Sequence, residues 1–161
     1  MNVFYLDESP EVAATLHLYP KHVVKMTLEY AQLLSTAHRL LREVPEESPL
    51  YKATHKNHPS AVWVRESASH YTWVYRCMVA LGEHYTKKTG KTHLTLTKLG
   101  ELLKEPPMED TGWVDPPQCM PKEYQRDTAI KGYKAYYDYK RILLTTPPSD
   151  KRSVKTMGTP S

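Results

Sequence analysis

The sequence has few cysteines, few glycines and no long apolar segment. Its two cysteines, Cys77 and Cys119, lie far apart, so neither a disulfide framework nor a cysteine zinc site is expected, and free thiols in a reducing compartment are favoured. The six glycines form no phosphate-binding loop. No apolar run approaches the ~20 residues that cross a bilayer, and the first ten residues do not resemble a secretory signal. We expect a cytoplasmic protein without a membrane partner.

The composition indicates a folded chain. Hydrophobic residues make up 40% and charged residues 25% of 161 positions, a length that suits one domain with a real core. Thirteen prolines against six glycines favour helices with stiff connections. The net charge is +4, which permits contact with nucleic acid without requiring it. The local arrangement of charge therefore carries the functional argument.

Hydrophobic periodicity predicts an all-α domain of four or five helices over residues 1–144, with proline-rich connections and a disordered tail at 145–161. Ser9 followed by Pro10 is a helix-start signature. The predicted helices run from Pro10 to about Leu18, Pro20 to about Arg42 or Glu43, Ala61 to about Lys87, Thr95 or Thr97 to about Lys104, and Asp127 to about Leu144. The Ala61–Lys87 helix is apolar on two faces, which predicts a central position. Residues 105–121 contain five prolines and cannot be regular.

The stretch "KHVVKMTLEYAQ" carries a polar row beside its apolar stripe. His22, Lys25, Glu29 and Gln32 recur at steps of three and four, so they share one face of a helix. The row combines an imidazole, an ammonium, a carboxylate and an amide, unlike the alternating charges of an ordinary solvated face. A solvated face remains the alternative. We favour a functional surface that borders a groove, and we call these four residues the polar row.

The segment "LYKATHKNHPS", residues 50–60, is a polar loop rich in histidine. Its side chains, with Arg65 from the following helix, suit phosphate oxygens or base edges: Lys52, His55, Lys56, Asn57 and His58. A plain surface loop is the alternative, although Pro59 and Trp63 stiffen and anchor it. No two of the eight histidines are spaced His-x-x-x-His, and we predict neither a metal nor another cofactor. No local sequence indicates a Ser–His or Cys–His nucleophile.

Lysine and tyrosine alternate in "KGYKAYYDYKRI" near the end of the chain. On a helix, the lysines can meet phosphates while a tyrosine stacks on a base. The alternative is a core helix with Tyr133 and Tyr137 inward and the lysines outward. We favour the core helix, because both tyrosines fit its apolar stripe.

The segment "EVAATLHLYPKHVVKM" resembles the beginning of the phage pyrimidine-dimer DNA glycosylases of the endonuclease V type. The residues that carry this resemblance are Glu11, Val12, His17 and Leu18 in a first motif and Lys21, His22 and Lys25 in a second. "HPSAVWV" at the start of a later helix is also similar. The order of elements matches over about residues 1–144. The resemblance implies an all-α enzyme that flips a damaged nucleotide out of duplex DNA, attacks the sugar through its N-terminal amine as an imine, and nicks the strand.

The chain departs from this family at its catalytic positions. His22 stands where the family has its catalytic glutamate, and Glu29, nearly two turns further along, is our candidate for the missing carboxylate. Asn2 is bulky for removal of the first methionine, so we expect Met1 to remain and to provide the amine, whose ordinary pKa is near 8.

The leading hypothesis is a phage DNA-binding protein in the cytoplasm of an infected bacterium. In its stronger form, this hypothesis makes the protein a base-excision glycosylase and lyase on damaged or modified duplex DNA. Met1, His22 and Glu29 are the expected catalytic residues. The expected binding residues are His17, Lys21, Lys25, Gln32, Lys52, His55, Lys56, Asn57, His58 and Arg65. The rival is a non-catalytic protein that sequesters a cyclic or adenosine nucleotide as a counter to host defence. A structural or protein-binding role is the third alternative, and the oligomeric state is left open.

Overall fold

A computed structural model describes residues 2–145, without the side chains of 142–145. Within that range the chain forms six α-helices and no strand: α1 Pro10–Thr15, α2 Pro20–Leu41, α3 Pro59–Glu66, α4 Ala68–Thr89, α5 Leu94–Leu99 and α6 Ala129–Thr145. One 3₁₀ turn spans Lys122–Tyr124. The predicted all-α class is confirmed. Met1 and the predicted tail from residue 146 onward lie outside the described residues.

Local capping explains where several helices begin and end. The Ser9 hydroxyl accepts a hydrogen bond from the Val12 N–H at 3.3 Å, as its sequence predicts. Prolines occupy the first turn of α1, α2 and α3, where a missing N–H costs nothing. Gly90 ends α4 with a φ of 73°, a left-handed conformation that favours glycine.

Helix α4 lies at the centre of the fold. It packs against α1, α2 and α3, and buried side chains cover two of its sides, with Tyr71 and Met78 on one and Trp73 and Cys77 on the other. This confirms the central position predicted from its two apolar faces. No helix within residues 2–145 is both long enough and apolar enough to cross a membrane.

The prediction of one continuous helix over residues 61–87 is wrong, because the chain is extended at Ser67, with φ −154° and ψ 144°. The Ser67 hydroxyl donates to Asp110 Oδ1 at 2.7 Å and accepts from the Thr111 N–H at 3.0 Å. The Ala68 N–H, which an unbroken helix would use internally, donates instead to the Glu109 carbonyl at 3.1 Å, so a distant loop takes a backbone bond that would continue the helix.

Three helices also differ from the prediction at one or both of their ends. Helix α1 ends at Thr15 rather than near Leu18. Helix α5 begins after His93, whose Nδ1 accepts from the Thr95 N–H, and it ends at Leu99 rather than near Lys104. Helix α6 begins one residue after Thr128, whose hydroxyl accepts from the Lys131 N–H, so Thr128 and not Asp127 provides the cap.

The beginning of the described chain lies between α2 and α6. Residues 3–6 are buried, and the Phe4 N–H donates to the Tyr30 hydroxyl of α2 at 2.9 Å. The Phe4 ring meets those of Tyr133 and Tyr137 in α6, with 5.9 Å between centroids in each case. These contacts bring α6 to the helix that carries the polar row.

Candidate functional site

The polar row is not a solvated face. His22 is 5% exposed, and Glu29 and Gln32 are partly buried, so Lys25 is its one exposed member. A row of four polar groups in which three are covered requires neighbours that bury them. Around His22, those neighbours are Phe4 of the N-terminal segment and Tyr137 of α6.

Glu29 has an incompletely used carboxylate. Its Oε2 atom is buried and makes no hydrogen bond among residues 2–145. The Lys25 Nζ atom lies 3.7 Å from it, which is close enough for electrostatic attraction but too long for a hydrogen bond. A buried acceptor without a donor is unusual and costly. Glu29 therefore presents an acceptor that a substrate or another amine can use.

Lys140 of α6 joins this site, although it is not among the site residues predicted from the sequence. It is partly buried, and its ammonium lies 5.3 Å from the centre of the Tyr136 ring. Burial lowers the pKa of Lys140, the Lys25 charge lowers it further, and Glu29 opposes the shift. A lowered pKa leaves more of the amine neutral, the form that attacks a carbonyl or sugar carbon.

His17 and His22 form a ring cluster with Phe4 and Tyr137. The two imidazoles stack at 5.4 Å, and Phe4 meets His22 at 4.9 Å. Burial lowers the pKa of His17 to about 4. It lowers the pKa of His22 to about 3, with further lowering by His17, Lys140 and Lys25. Both rings are therefore neutral at physiological pH.

Burial changes the role that His17 can have. It is 0% exposed, and its Nδ1 lies 2.9 Å from the Ala13 carbonyl oxygen. The nitrogen facing a carbonyl carries the proton, so Nε2 is an acceptor, and it has no partner among the described residues. The prediction that His17 contacts nucleic acid or a nucleotide directly disagrees with this burial. His22 reaches solvent only slightly, and its Nδ1 likewise lacks a partner.

The histidine-rich loop begins beside the second half of α2. Arg39 donates to the carbonyls of Leu50 and Tyr51 at 2.7 Å each, and the Thr54 N–H donates to the Thr36 hydroxyl at 3.2 Å. Thr36 lies one helical turn beyond Gln32. The loop therefore continues the surface on which the polar row ends.

The predicted binding residues of this region have unequal exposure. Four are exposed, namely Lys52, His55, Lys56 and Asn57, as is Lys21 at the start of α2. His58 has a structural task, since its Nδ1 accepts from the Ser60 N–H at the beginning of α3. Arg65 is partly buried, and its Nη1 atom has no hydrogen-bond partner within the described range.

Lys140 could not be found from the sequence, because α6 meets α2 only through tertiary contacts such as that of Tyr137 with His22. The only signal was the alternation of lysine and tyrosine in "KGYKAYYDYKRI". The core interpretation of that helix is right for its tyrosines, since Tyr133 and Tyr137 are buried.

Nowhere in residues 2–145 do three or more His, Cys, Asp or Glu side chains meet as a metal site needs. Comparison with protein-family models, with curated proteins and with solved structures finds no match for this chain.

Proposed function

We propose that the protein binds duplex DNA across the polar row and the histidine-rich loop, and acts there as an imine-forming glycosylase and lyase. The observation that supports this most is the buried Glu29 oxygen without a hydrogen-bond donor, close enough to the partly buried amine of Lys140 to influence its pKa. An amine with a lowered pKa in the field of a carboxylate suits imine chemistry on a sugar, which needs a nucleophilic amine and a proton acceptor.

The chemistry assigns a defined task to each group. The amine nitrogen forms a bond to C1′ of the damaged nucleotide, and the bond between C1′ and the base breaks with its electrons passing to the base. The carboxylate of Glu29 takes the proton that the attacking amine loses. Opening of the sugar ring gives an imine, and loss of a C2′ proton then expels the 3′ phosphate and nicks the strand.

Two amines are candidates for the nucleophile. The resemblance to the pyrimidine-dimer glycosylases implies the amine of Met1. The packing around Glu29 adds the amine of Lys140, whose pKa is lowered by burial and by Lys25. His22 is neutral and nearly buried, so its part is to shape the apolar side of the site.

The exposed cations suit a run of phosphates. Lys21 and Lys25 lie in the first two turns of α2, and Lys52 and Lys56 follow in the loop beside its second half. From Lys21 to Thr36, where the loop is attached, the helix rises about 22 Å. This length spans several phosphates of one strand.

A small nucleotide is the second candidate ligand. Only Lys25 in the polar row is exposed, so this part of the surface offers few contacts to phosphates, as the binding of one nucleotide requires. Salt separates the candidates: duplex binding through several lysines weakens steeply as salt rises, whereas binding of a mononucleotide weakens little.

The test is incubation of the protein with a duplex that contains one cyclobutane thymine dimer, with borohydride present to reduce any imine. A strand break and a covalent adduct are expected, and peptide mass mapping locates the adduct at Met1 or Lys140. Lys25→Ala should weaken duplex binding, and Glu29→Gln should slow adduct formation at saturating DNA. Glu83→Gln, an exposed carboxylate of α4, is the matched control.

The outcomes separate the alternatives. If Lys25→Ala and Glu29→Gln leave nicking intact, this site is not the active site. If neither adduct nor break forms and a mononucleotide binds saturably with little salt dependence, the nucleotide-binding function replaces the enzymatic one.

A further inference from the structure

A second cleft, apart from the polar row, lies between the N-terminal segment, α4 and the proline-rich connection. Its cavity measures about 360 Å³ and is lined by Tyr5, Glu8, Trp73, Trp113 and Asp115. We call it the aromatic cleft. Three of its five residues are aromatic and the other two are acidic, so it contains no cationic side chain.

The three rings meet at angles to one another. Tyr5 and Trp73 are edge-to-face with 5.4 Å between centroids, and Tyr5 and Trp113 are tilted at 5.7 Å. Tyr5 and Trp73 are buried, whereas Trp113 is 39% exposed. The cleft thus has two fixed walls and one wall that faces solvent.

The hydrogen-bond donors of these rings are already used. Trp73 Nε1 donates to the Glu8 carbonyl at 2.9 Å, and Trp113 Nε1 donates to Asp115 Oδ1 at 2.8 Å. The Tyr5 hydroxyl is hydrogen-bonded to the Asp115 carboxylate. The lining therefore offers a ligand π-faces and acceptor oxygens, but no spare side-chain donor.

The carboxylates are not neutralised within the described part of the chain. No Lys, Arg or His nitrogen of residues 2–145 lies within salt-bridge distance of Glu8 or Asp115. Burial raises the pKa of Tyr5 to about 12, and the charges of Asp115, Glu8 and Asp7 add to the rise. A concentrated negative field in a protein of net charge +4 attracts a cation and repels a phosphate.

We propose that the aromatic cleft binds an organic cation, with an alkylated ammonium group placed against the Trp113 ring and between the Glu8 and Asp115 carboxylates. Aromatic faces attract cations through the ring quadrupole, and such cages recognise quaternary ammonium groups. A hydrated divalent metal fits less well, because it needs six or more oxygen ligands and the aromatic walls supply none. This site is independent of the DNA-binding proposal, since its charge is opposite.

The experiment is an NMR titration of the full-length protein with tetramethylammonium, choline and trimethyl-lysine, each followed through its N-methyl signal. The neutral tert-butyl analogue of choline has the same shape without the charge. We expect saturable binding of the cations and at least about fivefold weaker binding of the neutral analogue, since cation–π attraction disappears with the charge.

Two variants locate the site. Asp115→Asn removes the charge but keeps an oxygen that accepts from Trp113 Nε1, and Trp113→Leu removes the exposed ring. Each should weaken cation binding by about fivefold or more, and circular dichroism should show that each variant remains folded. Asp127→Asn, an exposed carboxylate paired with Lys131, is the control and should bind as the unmodified protein does.

Three results overturn the proposal. Equal affinity for choline and its neutral analogue would show that the cleft binds through apolar contacts, without attraction for a positive charge. Retained affinity in a folded Trp113→Leu variant places the cation elsewhere. Saturable binding of cytidine or adenosine, whose amino groups also donate to carboxylates, without binding of any cation assigns the cleft to a base.

Discussion

The imidazole rings of His17 and His22 stack with 5.4 Å between their centroids and an angle of 13° between their planes. Burial lowers the pKa of both rings. Repulsion from His17, Lys140 and Lys25 lowers the pKa of His22 further. Two adjacent buried imidazoles cannot both accept a proton without strong repulsion. The ring cluster is therefore stable only while both histidines are neutral.

Stability should consequently depend on pH through His22. Its pKa is about 3 in the folded chain and about 6.5 when unfolded, so the unfolded state binds more protons between these values. Stability is complete above about pH 6.5 and declines as the pH falls towards 3, with His22 costing about 2 kcal/mol near pH 5. His22→Leu should make this decline shallower in urea titrations, leaving the part due to His17, whereas His55→Gln, on an exposed histidine, should not change it. Parallel declines in all three proteins would contradict the prediction.

The sequence predicted the fold class because its signals are local. Two predictions rest on signals that each lie within a single helix, and both agree with the structure. They are the start of α1 at Ser9 and Pro10, and the apolar stripe of α2 that contains Val23, Met26 and Tyr30. The break at Ser67 was missed because its cause is tertiary. Asp110, which accepts a hydrogen bond from the Ser67 hydroxyl, lies 43 positions further along the chain. No sequence periodicity can reveal such a distant partner.

The candidate site shows the same division. The polar row was predicted from spacing alone, since Lys25 and Glu29 are neighbours on one helix. Its burial and its link to Lys140 depend on how α6 packs. The aromatic cleft was missed entirely, because Tyr5, Trp73 and Trp113 come from three separate parts of the chain. A site formed by residues on adjacent turns of one helix can be predicted from sequence spacing, whereas a site formed by distant segments cannot.

Removing the Tyr30 hydroxyl should loosen the start of the chain. That oxygen accepts the buried Phe4 N–H at 2.9 Å, and Tyr30→Phe leaves the N–H without a partner. We expect a loss of about 1–3 kcal/mol in the free energy of unfolding, measured by urea denaturation. Tyr85→Phe is the control, because no hydrogen bond of its hydroxyl is found within residues 2–145. An equal effect of both substitutions would show that the Phe4 contact contributes nothing specific.

Gly82 provides the space in which Leu96 attaches α5 to α4. A Cβ atom at Gly82 would overlap the Leu96 side chain, coming within 2.9 Å of Cγ and closer to Cδ1. Gly82→Ala should therefore destabilise the protein by about 1–2 kcal/mol, although alanine is the better helix former. In a Leu96→Ala background the same substitution should be neutral or stabilising. A thermal-denaturation double-mutant cycle measures this coupling, and additivity would exclude the steric explanation.

Asp110 should control the junction of α3 and α4. It accepts from the Ser67 hydroxyl and from the N–H groups of Gly112 and Ser69, and these bonds lower its pKa to about 2. Its stabilising effect is therefore present above about pH 4 and lost as the pH falls towards 2. Asp110→Ala should speed amide hydrogen exchange at Ser69 and Gly112. Glu109→Ala, the exposed neighbour, should leave both rates unchanged, and equal acceleration by both would contradict this assignment.

The amine of Lys140 should report directly on its two charged neighbours. The Lys25 charge lowers the pKa of Lys140 and the Glu29 charge raises it, so Lys25→Ala should raise this pKa and Glu29→Gln should lower it further. The two opposite shifts can be measured by NMR titration of ¹³C-methylated lysines, which remain titratable. Lys131→Ala on the exposed side of the same helix should have no effect. Shifts of the same sign for both substitutions would mean that a general rearrangement, and not direct electrostatics, sets the pKa. Opposite shifts would establish the coupled amine and carboxylate that imine chemistry needs, whether or not DNA is the substrate.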